Sequence, residues 1–600
     1  MSKRFFSIAA IILLISCNST DTATNFQPGN DSASSHAADL NRLMEQYYEQ
    51  RLQFHPIEAT WNGDNRYNDQ LHPEFTDSYR ARLRQFYDSM LAALQKIDRE
   101  KLSENEKINY DYMSYYNTLL RQESDYKFNR IPTDQMWGLH LTLGQFASGE
   151  SAQPFKSVAD YNNWLKRVDA IGVWIDSAIV YFRKGIDEGI TLPKPLVRKL
   201  IPQFEAMMTA DPKQHLYYGP IKKLPANFSD SDKQQITTAY TRAIKEKVVP
   251  MNRKMAAFLK NEYLHKARTT SGYSDMPGGA DYYKLRVKFN TTTEKTTDEI
   301  YNLGLAEVAR IRKEMEAIKD SVGFKGDLAA FFKYVNTDPK FTPYKTPEDV
   351  LNAFRQIHEK IKPYVKQQFA TEPKTPFEIR QTEAFRAASA SAEYNQSPDN
   401  VKPGIFYVPI LDATKFNITS GMESLFLHEA IPGHHYQISL QRENEKLPKI
   451  RRYDPWSTAY VEGWALYTET LGKELGLYTD PYQRLGALGD EMHRAIRLVV
   501  DVGLHEKGMT REEAIKYMMD NEQISEQGAT AEIERYMSGP GQALAYKIGQ
   551  LKIRELRTKY EKQLGDKFKI AEFHTEVLKD GSMPLTTLEQ KLDRWAASKK

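Results

Sequence analysis

Three histidines and one glutamate lie within eight residues, in the order His428, Glu429, His434 and His435. They directly follow an apolar run at 425–427, and the whole chain contains only 13 histidines, so this density is not expected by chance. Imidazole and carboxylate groups are common protein ligands of zinc, and a glutamate beside such ligands can act as a general base. The stretch therefore predicts a metal site with a base next to it.

The spacing of these histidines departs from the zinc-protease signature, in which a second histidine follows four residues after the first on one helix face. The fourth position here is Pro432, which cannot bind a metal and removes a backbone donor from the helix. On a straight helix, His434 would lie roughly 240° around the axis from His428, and His435 would lie roughly 10 Å along it. We therefore expect a kink at Pro432 that folds His434 or His435 back toward His428. A solvated helix end would explain the proline, but not a glutamate after an apolar run.

A third metal ligand is expected further along the chain, because a catalytic zinc typically has three protein ligands and one position open to water. Glu462 is the leading candidate, since on a helix it projects from a mostly apolar face. A buried carboxylate is costly unless it is paired or bound to a metal. The alternatives are a core glutamate paired with an arginine, or Glu469, two turns further on the same face, as the ligand. The predicted ligands of Zn²⁺ are His428, His434 and Glu462.

A ridge of polar side chains is predicted on the helix that contains Arg494, Arg497, Asp501 and His505. These four residues fall within roughly an 80° arc of a helix that is otherwise apolar. Because charged groups on a buried helix need polar neighbours, we expect the ridge to face the metal site and Asp501 to orient a ligand histidine. A purely structural ladder of salt bridges is the alternative.

A further polar group surrounds the turn at 539–541, with Arg535 before it and Tyr546 after it. Tyr546 is the predicted donor to a developing oxyanion, and Arg535 is predicted to hold a substrate carboxylate. Packing of these residues beneath the turn, without a catalytic role, is the alternative. Glu429 is the predicted general base, which takes a proton from water as the water attacks a carbonyl carbon.

These motifs together resemble a bacterial protein family, DUF885, which is grouped with the zincin-like metallopeptidases. The segments that carry the resemblance are His428-Glu429-x-x-Pro432-Gly433-His434-x-x-Gln437, Pro403-Gly404-Ile-Phe-Tyr407-Val-Pro, Glu462-Gly463-Trp464-Ala465-Leu-Tyr467, Arg497-Leu-Val-Val-Asp501-x-Gly503-Leu-His505 and Arg535-Tyr536 with Pro540-Gly541-Gln542-Ala543-x-x-Tyr546. The resemblance implies a large helical zincin-like metallopeptidase fold with a small β element near the active site. It also implies that the strand predicted from Gly404 to Ile410 is an edge strand beside the metal.

Helical spacing of apolar residues dominates the chain, so the elements that position these residues are predicted to be helices. Signals for helix starts support this, for example the capping box at Thr296-x-x-Glu299. We predict a flexible tether at 18–38, an N-terminal helical lobe at 39–280 and a catalytic helical lobe with the zinc site at 281–600. One long kinked helix is predicted from Met422 to Leu447.

The N-terminal residues predict export and a lipid anchor. Lys3 and Arg4 precede an apolar run at 5–15, which is too short to span a bilayer and typical of a signal peptide. Leu14-Ile15-Ser16-Cys17 resembles the lipoprotein cleavage box, and Cys17 is the only cysteine. We therefore predict a lipoprotein signal peptide at 1–17, acylation of Cys17, and a place in the bacterial cell envelope, at the outer membrane because asparagine follows Cys17.

The overall charge argues against a nucleic-acid partner. The chain has 82 basic and 79 acidic residues, a net charge of +3, and no basic cluster interleaved with aromatic residues.

Two functions remain: a zinc hydrolase of the carboxypeptidase or oligopeptidase type that acts on peptide or related amide bonds, and a non-catalytic surface lipoprotein that binds nutrients. The His428-Glu429 pair with a downstream acid favours the hydrolase.

Overall fold

A computed structural model describes residues 33–383, 391–397 and 400–599. The predicted signal peptide at 1–17, with Cys17, lies outside these residues. Within the described part of the chain, no helix combines the length and the apolar character needed to cross a membrane.

The fold is mainly α, as predicted. The first half of the described chain forms the helices α1 (Ala33–Phe54), α2 (Pro56–Trp61), α3 (Asp77–Leu94), α4 (Glu104–Glu123), α5 (Leu139–Ala147), α6 (Val158–Glu188), α7 (Lys194–Glu205), α8 (Asp230–Ala243), α9 (Val249–Phe258), α10 (Leu264–Lys266), α11 (Gly279–Thr291), α12 (Thr297–Ser321), α13 (Leu328–Thr337) and α14 (Pro347–Gln368). The predicted capping box at the start of α12 is confirmed, because Thr296 and Glu299 each bond the backbone of the other.

The second half contains a small sheet and the helices that surround the candidate site. Its elements are β1 (Phe377–Gln381), β2 (Glu393–Asn395), β3 (Gly404–Val408), α15 (Met422–Glu429), α16 (His434–Glu443), α17 (Lys449–Arg452), α18 (Thr458–Thr470), α19 (Pro481–His505), α20 (Arg511–Asn521), α21 (Glu526–Ser538), α22 (Leu544–Leu564), α23 (Ile570–Leu578) and α24 (Leu585–Ser598).

The tether predicted at 18–38 is wrong at its end, because α1 begins at Ala33. His36 is buried, and its Nδ1 accepts a hydrogen bond from the backbone N–H of Asp98 at 3.2 Å. Leu40 and Leu43 follow on the buried side of the same helix. The first turn of α1 is not predicted because residues before 39 include few apolar side chains. One buried histidine, His36, is enough to continue the buried side of the helix into this turn.

The small sheet has the strand order β1-β3-β2, with β3 parallel to β1 and antiparallel to β2. The predicted strand at Gly404 is confirmed, but its predicted position at an edge is wrong, because β3 is the central strand. The pairing partners of a strand depend on distant segments, so one strand's sequence does not specify its neighbours.

Hydrophobic cores cross the predicted boundary at residue 280. One core joins Trp174 of α6 with Met492 of α19. Another joins Tyr112 and Tyr116 of α4 with Trp456, which lies two residues before the start of α18. The division into two lobes stays a prediction. The hydrophobic cores do not divide at residue 280, because each of these two contains residues from both predicted lobes.

Candidate metal centre

The predicted long helix at 422–447 is broken into α15 and α16, and the break brings its histidines together. Gly433 makes the reversal possible, because a Cβ on this residue would lie 1.9 Å from the carbonyl oxygen of His428. Trp464 of α18 is fully buried and donates a hydrogen bond from Nε1 to the carbonyl oxygen of Pro432 at 2.9 Å. The connection is thus held against both α15 and α18.

Three side chains from separate helices meet at this break: His428 at the end of α15, His434 at the start of α16, and Glu462 on α18. One possible ligand atom from each lies within 4.8 Å of the others. The Oε2 atom of Glu462 lies 3.6 Å from Nε2 of His428 and 3.3 Å from Nε2 of His434. Both histidines are buried. The structure therefore groups the three residues that the sequence predicts as ligands.

The donor set and its spacing fit a zinc ion. A tetrahedral zinc with bonds of about 2.0–2.2 Å holds its ligand atoms about 3.4 Å apart. The distances from Glu462 to the two imidazole nitrogens match that separation. Oε2 of Glu462 is also a buried acceptor with no hydrogen-bond partner among the described residues. Such an atom is costly unless a cation or donor is bound to it.

Glu469 of α18 orients the first of these histidines. Its Oε1 accepts a hydrogen bond from Nδ1 of His428 at 2.7 Å, which directs Nε2 of the ring toward Glu462. Burial opposes a charge on this ring, but the carboxylates of Glu462 and Glu469 raise the pKa of His428 to about 10. Burial likewise opposes ionisation of Glu462, but His434 and His428 hold the pKa of that carboxyl well below its usual range. The carboxylates therefore attract positive charge to the point between the two rings.

Glu429 lies beside this group, at the wall of a cavity of about 860 Å³. The three candidate ligands line the same cavity. Burial raises the pKa of the Glu429 carboxyl, and the nearby imidazoles oppose this shift. A carboxylate with a raised pKa beside a metal site is suited to accept a proton near neutral pH.

Tyr546 and Arg535 line the same cavity as the candidate ligands. Nη2 of Arg535 donates to the hydroxyl of Tyr546 at 3.3 Å and to Oε1 of Gln542 at 3.0 Å. The guanidinium of Arg497 lies over the Tyr546 ring, 4.5 Å from its centre. The two predicted residues thus share one wall of the site, together with Arg494 and Arg497 of α19.

Two other residues singled out by the sequence lie elsewhere. His435 is hydrogen-bonded through Nδ1 to the hydroxyl of Tyr394 at 3.1 Å and packs on the ring of Phe377, so it does not join the group. The role predicted for Asp501 is wrong, because its carboxylate accepts from the hydroxyl of Tyr283 at 2.7 Å and from the backbone N–H of Gly541 at 3.1 Å. Asp501 lies two turns beyond Arg494 on α19, which carries it away from the imidazoles.

Two features of the site are not predicted from the sequence. Glu469 is predicted only as a substitute ligand, although helical spacing places it on the face of Glu462. Residues 393 and 394 of β2 line the cavity, and a three-residue strand gives no periodic signal in the sequence.

Comparisons with known proteins identify a family and a fold. Residues 56–592 match the family model described as "Bacterial protein of unknown function (DUF885)". No curated protein matches the sequence at a significant level. A crystal structure from Colwellia psychrerythraea, described as a "putative lipoprotein", matches with a TM-score of 0.86 and 28% identity over 94% of this chain and 99% of that chain. A structure from Shewanella oneidensis, described as a "putative lipoprotein of unknown function", matches with a TM-score of 0.71 and 21% identity over 93% of this chain and 99% of that chain, which shows a shared fold alone.

Proposed function

Because the chain belongs to the DUF885 family, whose description assigns no activity, we propose a function from the site itself: a zinc-dependent hydrolase of the zincin-like metallopeptidase group. Its substrates would be peptides or related amides, cleaved by activated water. The observation that carries this proposal is the convergence of His428, His434 and Glu462 beside the carboxylate of Glu429 in one large cavity.

The residues divide into ligands and a base. His428, His434 and Glu462 would hold Zn²⁺, with Glu469 fixing the ring of His428. A zinc ion bound there would lower the pKa of water and polarise a carbonyl oxygen. Glu429 accepts a proton from water as the water oxygen bonds to the carbonyl carbon. It then returns the proton to the amide nitrogen as the C–N bond breaks, which yields a carboxylic acid and an amine.

Two further residues that line the cavity complete this assignment. The hydroxyl of Tyr546 donates to the carbonyl oxygen as negative charge develops on it. The hydrogen bond from Arg535 to this hydroxyl holds the phenol in place. Arg535 also offers its charge to a carboxylate of the substrate.

The protein is further proposed to be a lipid-anchored component of the bacterial cell envelope, at the outer membrane. The residues before Cys17 support this, because they carry the charge, apolar run and cleavage box of a lipoprotein signal. The description of the Colwellia protein as a "putative lipoprotein" is consistent with such an anchor.

Metal analysis of variants tests the proposed hydrolase. We expect one zinc per chain in the purified protein after zinc is supplied. Glu429→Gln should keep the metal but lose hydrolysis of short peptides by at least about a hundredfold, because an amide cannot accept the proton. Glu462→Gln should weaken zinc binding, because a charged ligand becomes neutral.

Circular dichroism of each variant is the control for folding. Absence of zinc from the unmodified protein would instead support a nutrient-binding lipoprotein. Loss of zinc from Glu429→Gln, with zinc and activity intact in Glu462→Gln, would show that the ligands are assigned incorrectly.

A further inference from the structure

Three arginines on one wall of the cavity have buried donors for which the described residues provide no acceptor. Arg494 and Arg497 come from α19 and Arg535 comes from α21, and all three line the cavity that contains the candidate ligands. Among the described residues, Nε of Arg494, Nη1 of Arg497 and Nε of Arg535 have no hydrogen-bond partner. Because buried donors are almost always paired, three such groups at one cavity wall indicate an acceptor supplied by a ligand.

Arg497 is fixed in place, so its unpaired nitrogen has a defined position. The residue is only 5% exposed. Nε donates to the hydroxyl of Tyr536 at 2.9 Å, and Nη2 donates to Nε2 of His493 at 3.1 Å and to Oε2 of Glu532 at 3.3 Å. These contacts occupy one edge of the guanidinium and leave Nη1 for a ligand, because an arginine has five N–H donors.

Arg497 and Arg535 share a single carboxylate among the described residues. Glu532 is shared, since its Oε2 lies 3.3 Å from Nη2 of Arg497 and 3.4 Å from Nη1 of Arg535. Asp490 pairs with Arg494 at 3.3 Å. One carboxylate between two guanidinium groups does not neutralise both, so a singly charged anion is favoured. The same carboxylates disfavour an anion of higher charge, such as a phosphate dianion.

The wall begins close to the proposed metal ligands. The side chain of Asp490 on α19 accepts a hydrogen bond from Ser424 of α15 at 2.6 Å, and α15 ends with His428 and Glu429. Arg494 lies one turn after Asp490 on the same helix. The row of arginines therefore leads away from the imidazoles along a single cavity.

We propose that Arg494, Arg497 and Arg535 bind the free C-terminal carboxylate of a peptide, so that the enzyme removes residues from the carboxyl end of its substrate. The assignment rests on the proposed hydrolase for the bond that is cut, but the binding of the carboxylate stands on the arginines alone. A carboxylate has one charge and two oxygens, and it accepts several charge-assisted hydrogen bonds from guanidinium groups. Peptides with a blocked carboxyl end would lack this recognition.

Competitive binding to an inactive variant tests the proposal. Zinc-loaded Glu429→Gln protein is mixed with equal amounts of two N-acetylated tetrapeptide libraries, randomised at every position, one with free acids and one with C-terminal amides. Bound peptides are separated by ultrafiltration and quantified by mass spectrometry. We expect the free acids to be enriched by about tenfold to a hundredfold, the scale of charge-assisted hydrogen bonds. Equal recovery of the two forms, including recovery of neither, would overturn the proposal.

Two arginine variants identify the groups responsible. Arg497→Gln and Arg535→Gln, each added to Glu429→Gln, should abolish the preference for free acids. If Arg497→Gln does not fold, Arg535→Gln decides the matter. Arg511→Gln is the matched control, because Arg511 pairs with Glu534 of α21 at 2.7 Å but does not line the cavity. An unchanged preference in the folded arginine variants would contradict the assignment.

The two proposals fail in different ways. A preference for free acids that depends on these arginines, without hydrolysis of any peptide by the unmodified protein, would reject the hydrolase and keep the carboxylate site. Hydrolysis of acids and amides at equal rates, together with equal binding, would keep the hydrolase and reject the carboxylate site.

Discussion

Glu469 is not a proposed metal ligand, but it orients one. Its carboxylate accepts a hydrogen bond from Nδ1 of His428 at 2.7 Å. We expect Glu469→Gln to weaken zinc affinity by about 10–100-fold, since the amide oxygen is a weaker, uncharged acceptor for Nδ1 and leaves the ring a less basic ligand. Competition with a coloured zinc chelator measures the effect. Glu474→Gln is the matched control, because Glu474 pairs with Arg557 rather than with an imidazole, and its affinity should not change. Equal affinity in the two variants would remove Glu469 from the site.

Single residues were predictable where chemistry alone identifies them. His428, Glu429 and Glu462 stand out by type and spacing, and the structure groups them with His434. The choice between His434 and His435 was not predictable, because the direction of the reversal depends on Trp464, a partner from another helix. The role predicted for Asp501 is wrong for the same reason. The position of a residue on one face of a helix does not identify the elements that pack against that face.

The connection between α15 and α16 is the element on which the site depends most. Gly433→Ala should abolish zinc binding, because the added Cβ would lie 1.9 Å from the carbonyl oxygen of His428 and must displace His434. Metal content and thermal unfolding measure the outcome. Gly172→Ala is the control, since its Cβ would meet no atom within 4 Å and should leave zinc binding unchanged. Full zinc binding by Gly433→Ala would show that the reversal does not position His434.

Long helices were predictable as elements, but their interruptions were not. The start of α12 agrees with the predicted capping box, because Thr296 and Glu299 are recognisable from residue type and spacing alone. The predicted helix at 422–447 is two helices, since Pro432 and Gly433 allow a break whose geometry depends on tertiary contacts. In the sheet, the strand at Gly404 was found and its two neighbours were not.

At the scale of the whole molecule, Asp501 connects three distant parts of the chain through Tyr283 of α11 and the turn before α22. Burial raises the pKa of this carboxyl to about 7 from a usual value near 3.8. The folded state therefore binds the proton more tightly. The contribution of Asp501 to stability is fully present below about pH 3.8 and is lost as the pH rises through about 7.

Asp501→Asn should remove this pH dependence, because an amide keeps an acceptor oxygen and does not ionise. We expect the unfolding temperature of the variant, relative to the unmodified protein, to rise between about pH 4 and pH 7 and then to stay level. Thermal unfolding of both proteins across that range provides the measurement. A difference that does not change with pH would contradict the buried titration of Asp501.

The attachment of the whole molecule depends on Cys17, which precedes every described element. Cys17→Ser should release the protein from the membrane fraction or leave its signal uncleaved, because no thiol remains to be acylated. Fractionation of cells and mass determination of the N-terminal peptide measure the result. Unchanged recovery of a mature, membrane-bound protein from Cys17→Ser cells would refute the predicted anchor.

The contact between the first helices and Trp456 has a consequence for biosynthesis. The hydroxyl of Tyr112 on α4 donates to Asp454 at 2.6 Å, across 342 residues of chain. At ribosomal rates of roughly 5–20 residues per second, the nascent apolar faces of α1 and α4 emerge roughly 20–70 s before this partner is made. The N-terminal helices therefore complete their packing only after most of the polypeptide has been translated.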